Sequence, residues 1–100
     1  MAAELFSLTG QTALVTGASS GLGRRFAEVL ARAGASVALA ARPSERLEKA
    51  AAEIASLGGR AIAVRCDVNL EGEVERAVVA GVARFGTLDI AVANAGFGVV

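Results

Sequence analysis

The 100 residues predict an α/β domain built on an open parallel sheet, with element order β-α-β-α-β-α-β and strand order 3-2-1-4. Three observations carry this expectation. Short apolar runs alternate with longer segments whose apolar residues recur at helical spacing. Gly, Pro, Ser or Asn marks the changeovers. The three glycines Gly17, Gly21 and Gly23 fall where the first strand gives way to the first helix. The intervening helices are long enough to cross over and return each strand parallel. Right-handed crossovers and the precedent of doubly wound parallel sheets then place the fourth strand beside the first, with the switch point between them.

Residues 11–16 read as a short strand entered through the turn at Gly10 and left at Gly17. Uninterrupted apolar runs of this kind suit strands buried on both faces. From Gly21 onward, Leu22, Phe26, Val29, Leu30 and Ala33 mark one face of a first helix, and Gly34 stands where a helix C-terminus favours glycine. Ser36–Ala41 is the second strand. Pro43 and Ser44 break it, Ser44 is placed to cap a second helix, and Leu47, Ala51, Ile54 and Leu57 line that helix. Gly58 and Gly59 stop it before a third strand, Arg60–Arg65. Asn69 is placed to cap a third helix bearing Val74, Ala77, Val78, Gly81, Val82 and Phe85; Gly86 ends it, and residues 88–92 form the fourth strand. The charges Glu45, Arg46, Glu48, Lys49 and Glu53 read as the solvated face of the second helix.

Composition excludes several function classes. Formal charge sums to zero with no histidine, so there is no basic footprint for nucleic acid. Apolar residues make up 54% of the chain, yet no run approaches the roughly 18 residues of a membrane span. Residues 1–10 lack the basic and apolar regions of a signal peptide. The expectation is a cytoplasmic protein that binds no membrane and no metal. Cys66, the only cysteine, cannot form an internal disulfide, which fits a reducing compartment.

The run Val15-Thr16-Gly17-Ala18-Ser19-Ser20-Gly21-Leu22-Gly23 carries the chemistry. Its first glycine permits a tight strand-to-helix turn, and the later ones let backbone or ligand approach where a Cβ would collide. The helix beginning near Gly21 directs unpaired N–H groups and its positive dipole end at an anion, as a pyrophosphate requires. Thr16 and Ser19 carry hydroxyls around this loop, Ser19 and Ser20 are placed for a phosphate oxygen, and Leu22 offers backbone. The spacing departs from G-x-G-x-x-G and instead reads Thr-Gly-x-x-x-Gly-x-Gly. In that form it resembles the cofactor motif of the short-chain dehydrogenase/reductase family, and the resemblance runs from about Leu8 to Gly96. It implies a Rossmann-type domain over residues 1–100, binding a nicotinamide dinucleotide.

At the end of strand two, NAD-binding sheets usually offer a carboxylate to the ribose hydroxyls. Here Ala41 and Arg42 stand instead. Without the carboxylate a 2′-phosphate is not repelled, and a guanidinium gives it charge-assisted bonds, so NADP is expected in preference to NAD. The second basic position that the family offers before its middle glycine is Ser20 here, so the preference rests on Arg42. Arg24 and Arg25 read as solvated helix residues.

Cys66-Asp67-Val68 is similar to the family's Asp-Val step, which implies that the Asp67 carboxylate accepts from the adenine amino group while its neighbours frame the ring. Asn94-Ala95-Gly96 is similar to the family's Asn-Ala-Gly segment, which implies a place beside the cofactor ribose; Ala93 replaces the first asparagine of that segment.

The reactive half of the family pattern is not found. Such enzymes move hydride between nicotinamide and a carbonyl or alcohol carbon with a tyrosine, a lysine that lowers its pKa and a serine; this sequence has no tyrosine, and its one lysine is Lys49. No catalytic residue is therefore assigned. The apolar end Phe97-Gly98-Val99-Val100 and an uncovered fourth strand lead to the expectation of a cofactor-binding half of a longer oxidoreductase, a homo-oligomer at full length acting on a small carbonyl or alcohol. Two other classes stay open: a non-catalytic NADP(H)-binding module or assembly fragment, and another Rossmann-like enzyme such as a methyltransferase, which has no reason to place Arg42 after strand two.

Overall fold

The fold comes from a computed structural model that describes residues 7–19 and 21–93. Four strands, β1 (Thr12–Thr16), β2 (Ser36–Ala41), β3 (Arg60–Arg65) and β4 (Ile90–Val92), alternate with α1 (Gly21–Arg32), α2 (Glu45–Ser56) and α3 (Glu73–Phe85). The sheet order is β3-β2-β1-β4, with every neighbouring pair parallel. Order and direction match the sequence expectation.

Every residue of β1 and β2 is buried, which their near-continuous apolar sequences require. Alternate residues serve opposite faces. Val15, Val37, Leu39 and Ala41 join Ala27 of α1 and Leu47, Ala50, Ala51 and Ile54 of α2 in one core. Leu14, Ala38, Ala40, Val64 and Cys66 meet Ala77 of α3 in the other. Small side chains set the approach distances: a Cβ placed on Gly81 of α3 would stand 3.7 Å from the Ala38 Cβ, so that helix rests closely on β2.

The start of α2 and the ends of α1 and α2 follow their predicted punctuation. The Ser44 hydroxyl accepts the Leu47 N–H at 3.1 Å. At the end of α1 the Ala35 N–H donates to the Leu30 carbonyl at 3.1 Å and the Gly34 N–H to the Ala31 carbonyl at 3.0 Å, with Gly34 at φ 105. The same pair of bonds closes α2 through Gly58 and Gly59.

Five expectations need correction. Leu57, expected to line α2 with Leu47, Ala51 and Ile54, follows its last residue and is 78% exposed. α3 starts at Glu73 behind Gly72, not behind Asn69, because the Asp67 Oδ1 takes the Asn69 N–H at 2.9 Å and holds that residue in a side-chain turn. The face of α1 that meets the core is Gly23 and Ala27, flanked by Leu30 and Ala31, whereas Leu22 and Val29 are 60% and 54% exposed. The sheet lies too close for large residues at that contact, and Leu22, Phe26 and Val29 fall on its flank. β4 begins at Ile90 rather than Leu88. Asp89 spends its carboxylate on the β1 ladder, Oδ2 accepting the Thr12 N–H at 2.9 Å while its own N–H donates to the Thr12 carbonyl at 2.9 Å. Finally, Arg24 and Glu53 are not merely solvated; the guanidinium donates to the carboxylate and ties α1 to α2.

Replacing Ser44 by Ala removes the side-chain acceptor for the Leu47 N–H, and an expected loss of about 1 kcal/mol follows. Chemical denaturation of the variant against the parent protein measures it.

Candidate nucleotide-binding site

Parallel register gathers the candidate residues at one edge. Thr16 pairs with Ala40, Ala41 with Arg65, and Val15 with Val92, so the segments following β1, β2, β3 and β4 all leave from the C-terminal side of the sheet. β1 lies between β2 and β4, and the loop that follows it sits centrally on that edge.

The β1–α1 loop is anchored from below. The Ala18 N–H donates to the Ala40 carbonyl at 3.3 Å, and Ala18 is fully buried. The Thr16 hydroxyl donates to the Val92 carbonyl at 3.3 Å, knitting β1 to β4 and placing this side chain within the sheet edge rather than free in the loop. Gly17 and Gly21 adopt φ of 64 and 61, the left-handed region that other residues rarely enter. A Cβ on Gly21 would meet nothing within 4 Å. Among the described residues, packing therefore does not demand a glycine at that point; the backbone conformation does. Gly23 is buried within α1, while Ser19 is half-buried and Leu22 exposed. The N–H groups of the first turn of α1 have no intrahelical acceptor, as at any helix start, and with Gly21 exposed this arrangement fits a pyrophosphate.

Arg42 follows β2 and is exposed, with no hydrogen bond or ion pair among the described residues. The β3–α3 loop stands beside it, because the Cys66 N–H donates to the carbonyl of Ala41 at 2.9 Å. Asp67 is half-buried and Val68 exposed. The Cys66 thiol is not at the edge: it is buried in the core beneath α3, so only its backbone borders the loop. Burial first, then the neighbouring Glu73 and Asp67 carboxylates, push its pKa above the ordinary thiol value. Ser20, Asn94, Ala95 and Gly96 lie outside the described residues.

One participant escaped the sequence reading. Glu73, the first residue of α3, is only 6% exposed, and its Oε1 accepts the Asp67 N–H at 3.1 Å. Arg65 and Arg76 approach its two oxygens at 3.5 Å each. The available signal was an acidic residue four positions before Ala77, on the apolar face of a helix, in a loop already flagged by Asp67.

The fold and this edge define a class: a Rossmann-like parallel α/β protein with a glycine turn at its switch point. The family pattern of the short chain dehydrogenases matches residues 11–100, and the chain belongs to that family. It is similar to the short chain dehydrogenase/reductase AacuN of Aspergillus aculeatus, with 47% identity over 92 residues, covering 91% of this chain and 35% of that protein. It is 38% identical over 91 residues to 7alpha-hydroxysteroid dehydrogenase of Escherichia coli, covering 91% of this chain and 36% of the enzyme. Among solved structures, a hydroxysteroid dehydrogenase from Escherichia coli superposes with a TM-score of 0.88 at 38% identity, over 93% of this chain and 40% of that one. A short-chain type dehydrogenase/reductase from Mycobacterium marinum gives 0.81 at 45% identity, over 88% and 36%. The chain thus spans about a third of the length of the relatives it matches.

The raised thiol pKa has a sign for stability. A group held neutral by the fold contributes stability below its unfolded pKa and loses it as pH rises toward the folded value. Stability should decline above about pH 8.5, the ordinary thiol range, and Cys66→Ala should remove part of that decline. Urea unfolding from pH 7 upward, parent against variant, measures both.

Proposed function

We propose that this chain is the NADP-binding part of a short-chain dehydrogenase/reductase that moves hydride between nicotinamide and a carbonyl or alcohol carbon. The observation that carries the reading is the positive-φ glycine turn at the start of α1, set on the central strand and sharing its sheet edge with Arg42, which is exposed and has no ion-pair partner among the described residues. Gly17, Ser19, Ser20, Gly21, Leu22 and Gly23 would hold the pyrophosphate and nearby ribose, with Thr16 bracing the turn through its bond to the Val92 carbonyl. Arg42 would pair with the 2′-phosphate. Cys66, through its backbone, together with Asp67 and Val68, would frame adenine, with the Asp67 carboxylate as acceptor. Asn94, Ala95 and Gly96 would border the ribose on the route to nicotinamide. The bound cofactor would supply the hydride; these residues bind and orient it.

The proton-handling tyrosine and lysine of the family would come from sequence other than these 100 residues, which contain no tyrosine. The exposed backbone edge of β4 and the apolar flank Leu22, Phe26 and Val29 of α1 support a larger sheet and further cover. Among the described residues no helix is long and apolar enough to cross a membrane. A cytoplasmic site of action and a homo-oligomeric assembly complete the proposal.

Titration of the protein with NADPH and NADH tests the assignment. NADPH should bind more tightly. Arg42→Ala should weaken NADPH by about 10- to 100-fold, the scale of a hydrogen bond to a charged group, and leave NADH nearly unaffected. Tighter NADH binding by the parent protein would contradict the NADP assignment.

A further inference from the structure

We propose that Glu73 is a positioning residue for the adenine end of the nucleotide site, fixing the backbone of Asp67 and thereby the direction in which the Asp67 carboxylate is presented. The inference rests on the reading of Asp67 as the adenine acceptor. Its own support is the bonding of the β3–α3 loop.

Among the hydrogen bonds that tie that loop to itself, three link its two ends through Asp67, Leu70 and Glu73. The Leu70 N–H donates to the Asp67 carbonyl at 3.0 Å, the Glu73 N–H to the Leu70 carbonyl at 3.3 Å, and the Asp67 N–H to Glu73 Oε1 at 3.1 Å. The last is the only one of the three made by a side chain, and it spans the whole loop. On the opposite side of the same residue, Asp67 Oδ1 accepts the Asn69 N–H at 2.9 Å, which fixes the side chain to a backbone that Glu73 already holds. The Cys66 N–H to Ala41 carbonyl bond then sets this unit next to Arg42. Removing the Glu73 carboxylate therefore loosens the residue placed to read adenine without touching the glycine turn.

A simpler role for an acidic residue in a first helical turn is to complement the helix dipole. Glu75 offers that from an exposed position in the same turn. Dipole complementation gives no reason to bury Glu73, and a buried carboxylate is costly unless it is paired and hydrogen-bonded. Glu73 is both, through the Asp67 N–H and the arginines Arg65 and Arg76, which are themselves largely exposed. The burial is explained by the bond to Asp67.

The test compares E73A, E73Q and E75A in the complete protein, using NADPH and the adenine-free probe reduced nicotinamide mononucleotide. E73A should weaken NADPH by about tenfold, as expected for a donor left without its partner, with the adenine-free probe unchanged. E73Q keeps an oxygen acceptor for the Asp67 N–H and should restore NADPH affinity; E75A should leave both affinities at the parent level. If E73A does not fold, E73D takes its place, since the shorter side chain cannot span the loop and should show the same selective loss. A lower melting temperature with unchanged NADPH affinity, or equal weakening of both probes, would overturn the role of Glu73 while leaving the nucleotide site intact. A parent protein that binds neither probe would overturn the nucleotide reading, and the Glu73 role with it.

Discussion

The parallel pairing of β1 with both β2 and β4 is the constraint on which the rest depends. It buries the first strand on both faces and along both edges, and it turns the ends of the strands into one row. Residues separated in sequence by the length of a helix and a strand become neighbours for that reason alone. Ala40 anchors the glycine loop through its carbonyl, and the next carbonyl, that of Ala41, anchors the segment leading to Asp67. A single buried strand, β2, therefore sets the distance between the pyrophosphate end and the adenine end of the proposed site.

Helix packing follows from the same sheet. Alanine makes up half of β2, so α3 can approach at Gly81, and α1 meets the sheet through its own small residues Gly23 and Ala27. Close contact over small side chains sets α1 against the sheet at its first turns, through Gly23 and Ala27. The larger apolar residues of α1 are displaced to its flank as a result. That flank and the open edge of β4 are what further sheet and helix would cover, consistent with relatives about three times as long.

Features set by local chemistry were legible in the sequence. Ser44 before an apolar-periodic segment, glycines after helix ends and continuous apolar strands each act over a few residues, and each is found in place. The glycine turn was legible for the same reason, since its positive φ is a property of Gly17 and Gly21 themselves. What escaped depends on competition between side-chain partners, near or distant in sequence, or on the proximity of another layer. Asn69 lost its capping role because Asp67 bonds it first. Asp89 shortens β4 by bonding Thr12, 77 residues away. Arg24 found Glu53 on a different helix. The inner face of α1 was misread because periodicity reports which residues are apolar, whereas the sheet selects those that are small. Glu73 was hidden by the ordinary expectation that charged residues in a first helical turn face water.

The central claim is that the edge formed by Gly17, Gly21, Arg42 and Asp67 receives a nicotinamide dinucleotide phosphate. Backbone amide spectra of the protein titrated with NADPH test it most directly. The account predicts saturable shifts concentrated at Gly17, Ser19, Gly21, Leu22, Gly23, Arg42 and Asp67. Saturable shifts confined instead to the groove lined by Glu28, Arg32 and Leu57, near the helix C-termini, would contradict it, as would a titration that moves no resonance at the glycine turn.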